Sequence, residues 1–239
     1  MSAASDEIAH AAALHFARGF ALFLDAQSAP RPLGVYLIGS LAHGGFSRRY
    51  SDIDMALVTE QGLSQSALDA MRTEAAALSS DLASKLSLFW SDRHFSIGRF
   101  PPLDRIDYLD HAVSLVERER VQPLRPALKE IRAYLSGAPF ENWADSARRF
   151  ATLGTLDVKD HKSYLRTLLY PARFVYSWIT GCMASNDDAV ALLIEKRPAE
   201  FNIDLVTEAL ECRRAARDPD YLFPIEACCR NRSTPAGGS

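Results

Sequence analysis

The chain has little of what would place it in several large protein classes. It has only four cysteines, Cys182, Cys212, Cys228 and Cys229, and none forms a Cys-x-x-Cys pair. That points away from a disulfide scaffold or a zinc ribbon and towards a reduced intracellular chain. Its six histidines show no paired metal spacing. No uncharged run approaches the length of a membrane span. The first apolar stretch carries Asp6, Glu7, Arg18 and Asp25, which also argues against a signal peptide. A formal net charge of −3 gives no basic character for general nucleic-acid or anionic-lipid binding. There is no internal repeat. A cytoplasmic globular protein of 239 residues, in one large domain or two small ones, is the expectation.

What is present falls into two patterns. Ile8, Ala12, Phe16, Phe20, Phe23 and Leu24 recur at helical spacing and predict a helix over 6–26. "GVYLIG", "DIDMALVT" and "LSLFWS" are short, apolar and rich in β-branched or aromatic residues, and read as strands. Ser40 to Tyr50 reads as a short turn of helix and a loop. Leu68, Met71, Ala75, Leu78 and Leu82 predict a helix over 64–84. This is a small α/β sheet unit. After the prolines at 101, 102, 123 and 126 only helices are expected: 125–136, 141–153, 161–181 ended by Gly181, 186–196 and 203–216. The expected domains are 1–122 and 123–228, with a disordered tail over 229–239.

The chemistry concentrates in "GSLAHGGFSRRYSDID", Gly39 to Asp54. Alternate residues of a strand share a face, so Asp52 and Asp54 project together. Two adjacent carboxylates repel unless a cation lies between them. Mg²⁺ prefers carboxylate oxygens and is commonly completed by substrate phosphates. Gly39 lets a phosphate approach the backbone, and Ser40 offers its hydroxyl and N–H. Either half alone is ordinary turn or strand-end chemistry. A strand, Gly-Ser, eleven residues, Asp-x-Asp and a second strand together suggest a phosphate cradle beside a metal clamp.

Leu37-Ile38-Gly39-Ser40 and Ser51-Asp52-Ile53-Asp54-Met55 resemble the signature of the nucleotidyltransferase superfamily of the DNA polymerase β type. Leu168 to Phe201 resembles the helical domain of aminoglycoside adenylyltransferases of the streptomycin/spectinomycin type. The resemblance implies an α+β fold: a small mixed-sheet nucleotidyltransferase domain followed by an all-α helical domain. It implies transfer of a nucleoside monophosphate, AMP from ATP, to a hydroxyl of a small-molecule acceptor of unknown identity, an aminoglycoside-like molecule being one candidate. Mg²⁺ binding carries over onto Asp52 and Asp54, and nucleotide binding onto Gly39, Ser40 and Arg173.

Two positions depart from that pattern. A third carboxylate is usual on the next strand, where this chain has Ser87. A serine is a poor base at neutral pH. Asp92 at the strand end is the nearest substitute and also reads as a turn residue; Asp104 and Asp107 are more distant candidates. A lysine common after the C-terminal helix is replaced by Asn186. The acids of "PPLDRIDYLD" would attract a cationic acceptor if they faced a cleft. His43 reads as a solvated turn residue. Trp90, Trp143 and Trp178 have the spacing of core residues rather than of a stacking platform. Two alternatives stay open: a catalytically impaired nucleotide-binding or regulatory protein, and a nucleotidyltransferase acting on protein or tRNA.

Overall fold

In the computed structural model, which describes residues 3–199 and 201–219, helix α1 (Ala3–Gln27) buries Ala13, Phe16, Ala17, Phe20, Ala21 and Leu24. That stripe lies on a five-stranded sheet of order β4-β3-β2-β1-β5. The strands are β1 (Gly34–Ile38), β2 (Ile53–Thr59), β3 (Leu86–Asp92), β4 (Gly98–Arg99) and β5 (Val113–Glu117). The β2–β3 pair is parallel and the other pairs are antiparallel, so the sheet is mixed. A parallel pair needs a crossover. Helices α3 (Gln65–Leu78) and α4 (Ser80–Ala83) supply it.

Strand alternation decides which residues meet which layer. Val35, Leu37, Ile53, Met55 and Leu57 face α1 and α3. Tyr36, Ile38, Ala56 and Val58 face the other way, towards Phe95, Phe100 and Tyr108. Tyr108 belongs to α5 (Pro102–His111), which covers that second face.

The chain then continues as α6 (Leu128–Leu135), α7 (Ala138–Ala151), α8 (His161–Thr180), α9 (Asn186–Lys196) and α10 (Ile203–Arg214). Tyr164, Leu165, Leu168, Leu169, Val190, Leu193, Leu205, Val206 and Leu210 form the shared core of α8, α9 and α10. Ile106 of α5 packs on Ile131 and Leu135 of α6 and joins the sheet layer to the helices. Gly181 ends α8 in the left-handed conformation, φ +69°. The architecture is α+β, a mixed sheet with helices on both faces followed by a helical assembly. No helix among the described residues is long and apolar enough to cross a membrane.

Several expectations change. The helix expected over 64–84 is two helices. Ser79 is extended (φ −167°, ψ 110°), and its side chain accepts from the Leu82 N–H and starts α4. Residues 98–117, to which the sequence pattern assigns no element, contain β4, α5 and the edge strand β5. Val113–Glu117 is short and partly exposed, so it lacks the apolar alternation that marks a covered strand. The tail expected over 229–239, with Cys228 and Cys229, lies outside the described residues; Cys182 and Cys212 are free thiols.

Candidate active site

Gly39 follows β1 directly and opens α2 (Gly39–Ala42) with φ +69°. A side chain is excluded there twice. The left-handed backbone disfavours one, and a Cβ would stand 2.3 Å from Asp54 Oδ2. The register places Ile38 opposite Asp54, so strand pairing brings the Gly-Ser turn against the second aspartate.

The intervening loop is pinned from both ends. Ser40 Oγ donates to Ser51 Oγ at 2.9 Å, and the Ser47 N–H donates to the same oxygen at 2.9 Å. Arg213, at the end of α10, donates to Ser51 Oγ at 2.8 Å, while its carbonyl accepts from Ser47 Oγ at 2.9 Å. Tyr50 inserts into the helical core. A loop that reads as flexible in sequence is thus clamped between the two halves of the molecule.

A cavity of about 600 Å³ opens at this seam. Gly39, Ser40, Asp52 and Asp54 line one side, Lys162, Arg166 and Arg173 of α8 and Arg213 of α10 another, and Asp104 and Asp107 of α5 a third. Asp54 has the same strand parity as Ala56 and Val58, so it points to the face that α5 covers. Burial, then the neighbouring Asp52 and Asp107, push the Asp54 carboxyl up to about 6. Burial, then Asp107 and Asp54, push Asp104 up to about 7. Neither makes a hydrogen bond or ion pair among the described residues; Arg173 acts on both at longer range. Asp52 is paired with Lys162, Nζ to Oδ1 at 2.5 Å. Burial, then Arg173, hold the Arg213 guanidinium below its usual range.

Of the residues expected from sequence, Gly39, Ser40, Asp52, Asp54 and Arg173 come together. Asp92 does not. Ser87 is the residue paired with Asp54, and Asp92 is paired with Thr59, five residues further along β3. It is bound into its own turn, accepting from Ser96 N–H (2.7 Å), Ser96 Oγ (2.7 Å) and Ile97 N–H (3.0 Å). Burial acts upwards on its carboxyl, but these bonds outweigh it and hold Asp92 at about 2. Its turn reading is the one the geometry supports. None of the three tryptophans lines the cavity.

Sequence reasoning missed Lys162 and Arg213. Lys162 is one cation among several on an amphipathic helix, and Arg213 belongs to the short basic pair Arg213-Arg214, whose ordinary reading is solvated surface. It also took His43 for a solvated turn residue. His43 is nearly buried, with Nε2 at 2.5 Å from Asp107 Oδ1. Asp107 Oδ2 in turn accepts the Gly39 N–H at 2.8 Å. Asp107 therefore ties the Gly-Ser turn to α5.

No family model and no curated protein matches the chain. Among solved structures, a spectinomycin adenyltransferase from Enterococcus faecialis, crystallised with ATP and spectinomycin, matches 84% of this chain and 88% of its own. The identity is 12% and the TM-score 0.56. A toxin–antitoxin structure with AMP-PNP matches 55% of this chain and 92% of its own, at 18% identity and a TM-score of 0.33, too low to bear on the fold. By the first match, this chain, whose sheet carries Gly-Ser and Asp-x-Asp at adjoining strand ends, shares the nucleotidyltransferase fold of that spectinomycin adenyltransferase.

Proposed function

We propose that the chain transfers AMP from ATP to a hydroxyl of a small cationic acceptor, with Mg²⁺ as its metal. One observation carries this reading: crowded carboxylates and crowded cations share a single cavity beside the Gly-Ser turn. Asp54 and Asp104 hold raised pKa values without hydrogen bonds, and Arg213 is lowered partly by Arg173. Both kinds of crowding are relieved by a bound cation and a bound polyanion.

The donor set on the strand is all oxygen, which suits Mg²⁺. Asp52 and Asp54 would hold the ion, and when bound it would neutralise charge on the phosphate oxygens. Gly39 and Ser40 would take phosphate oxygens at the turn. Arg173, Lys162 and Arg213 would offset the remaining triphosphate charge, in place of the lysine absent at Asn186. Asp104 would take the part of the carboxylate that Ser87 cannot supply. The acceptor oxygen bonds to the α-phosphorus, and the bond from that phosphorus to the bridging oxygen breaks. Pyrophosphate leaves, and the acceptor proton passes to Asp104. A pKa near neutrality suits that role. Asp104 and Asp107 leave part of the cavity acidic, which favours an acceptor carrying ammonium groups, such as an aminoglycoside.

The test is release of pyrophosphate from Mg²⁺-ATP across a panel of aminocyclitol and aminoglycoside acceptors. Turnover with at least one acceptor, lost by about 10³-fold or more in Asp54→Asn, is expected. Unchanged turnover in Asp54→Asn would sink the metal role. The competing reading is a nucleotide-binding protein without turnover, favoured by Ser87 opposite Asp54. It predicts tight nucleotide binding and no pyrophosphate with any acceptor, protein and tRNA included.

A further inference from the structure

Beside the Gly-Ser turn, at the edge of the cavity that His43 and Asp107 also line, lies a second group of ligand atoms. Asp107 and His111 stand one helical turn apart on α5, so both project from one side of it. His43 reaches them from the loop after α2. One nitrogen from each imidazole and one Asp107 oxygen all lie within 4.8 Å of one another. The rings of His43 and His111 are 4.5 Å apart at 53°, without the geometry of a parallel stack. Asp107 is buried, His43 is nearly so, and His111 is exposed. The group is therefore closed on the protein side and open to solvent at His111.

From this arrangement we infer that His43, Asp107 and His111 form a binding site for a divalent transition-metal ion of the zinc class, separate from the Asp52–Asp54 pair. Two arguments converge on it. Two nitrogens and one carboxylate oxygen suit zinc-class ions and do not suit Mg²⁺, which takes oxygen. Three protein ligands with one open side match a zinc site that keeps a position for water. The ion would replace the proton shared by His43 Nε2 and Asp107 Oδ1. Asp107 Oδ2 would keep the Gly39 N–H, so the ion would fix the signature turn against α5.

Co²⁺ is the probe, titrated into the full chain in excess Mg²⁺ so that the carboxylate pair is already filled. One equivalent should bind and give weak visible absorption without a thiolate-to-cobalt charge-transfer band. Zn²⁺ should displace it. His111→Ala, at an exposed helix end, and His43→Ala should each lower the affinity by about tenfold or more. Asp52→Asn, expected to lose AMP transfer, should bind Co²⁺ as the wild type does. Failure of nucleotidyl transfer thus leaves this site standing, and failure of this site leaves nucleotidyl transfer standing. Equal affinity in wild type, His43→Ala and His111→Ala overturns the inference. So does a thiolate band, or loss of binding in Asp52→Asn.

Discussion

Asp104 shows how much a single residue's place matters. In the unfolded chain it ionises near pH 4 (~3.9 for a free aspartate); in the folded chain its pKa is about 7. Below the lower value both states hold the proton, and the group does not affect stability. Between the two values the folded state alone holds it, so stability falls as pH rises. Asp54, at about 6, adds to the same slope. Asp104→Asn removes this contribution. Denaturant unfolding in EDTA should show the variant more stable than wild type at pH 8, by on the order of 1–3 kcal/mol, and near wild type at pH 4. The same stability difference at both pH values would show that Asp104 is not held in the acidic crowd. In sequence, Asp104 and Asp107 stand as distant candidates for the third carboxylate, within a run of acids after two prolines that would attract a cationic acceptor if it faced a cleft. Nothing local says that Asp107 is buried and bound to Gly39, because that depends on which sheet face α5 covers.

At the scale of elements, α8 contains Pro171 nine residues before its end and still runs unbroken from His161 to Thr180. A proline cannot donate to the carbonyl four residues back, here that of Thr167. Trp143 of α7 fills the gap, its Nε1–H donating to Thr167 O at 2.9 Å. The tryptophan is thus a strut between α7 and α8, and α8 carries Lys162, Arg166 and Arg173 into the cavity. Trp143→Phe keeps most of the apolar contact and removes the donor. It should cost about 1–2 kcal/mol in chemical denaturation, with a rise in the KM for ATP larger than any change in kcat. A variant as stable as wild type would mean that water serves Thr167 equally well. The helices α1, α8, α9 and α10 were legible because apolar residues recur at helical spacing and Gly181 marks an end; the caps that start α9 and α10, Ser185 and Asn202, were identified only in the structure. The break at Ser79 and the strand β5 were not. A side-chain cap can interrupt a helix without altering its apolar period, and an edge strand needs no covered face.

Over the whole molecule, the cavity belongs to neither half. The sheet contributes carboxylates and the Gly-Ser turn; the helices contribute cations; Ser47, Ser51, Tyr50 and Arg213 hold the two together. A ligand that bridges both should stabilise the whole chain. Mg²⁺-ATP at about 100 times its Kd contributes ~2.7 kcal/mol, on the order of 5–10 °C in Tm for a chain of this size. The shift should be lost in Asp54→Asn and reduced in Arg173→Ala, and an equal shift in all three chains would place the nucleotide elsewhere.

By itself the sequence determined the two clusters that define the site's character, Gly39-Ser40 and Asp52-x-Asp54. Their spacing lets adjoining strands bring turn and carboxylates together, and strand periodicity alone puts Asp52 and Asp54 on one face. It also determined the α+β class, through short apolar runs followed by long amphipathic ones. Only the tertiary structure decided the rest. It turned Asp92 into a turn residue, brought α5 over the face that holds Asp54, and joined His43 to Asp107 and His111 across 64 and 68 positions of sequence. The physical reason is that local pattern fixes where a side chain points on its own element. Which groups it meets is fixed by the burial of the opposite faces of those elements, a property of the packed chain as a whole.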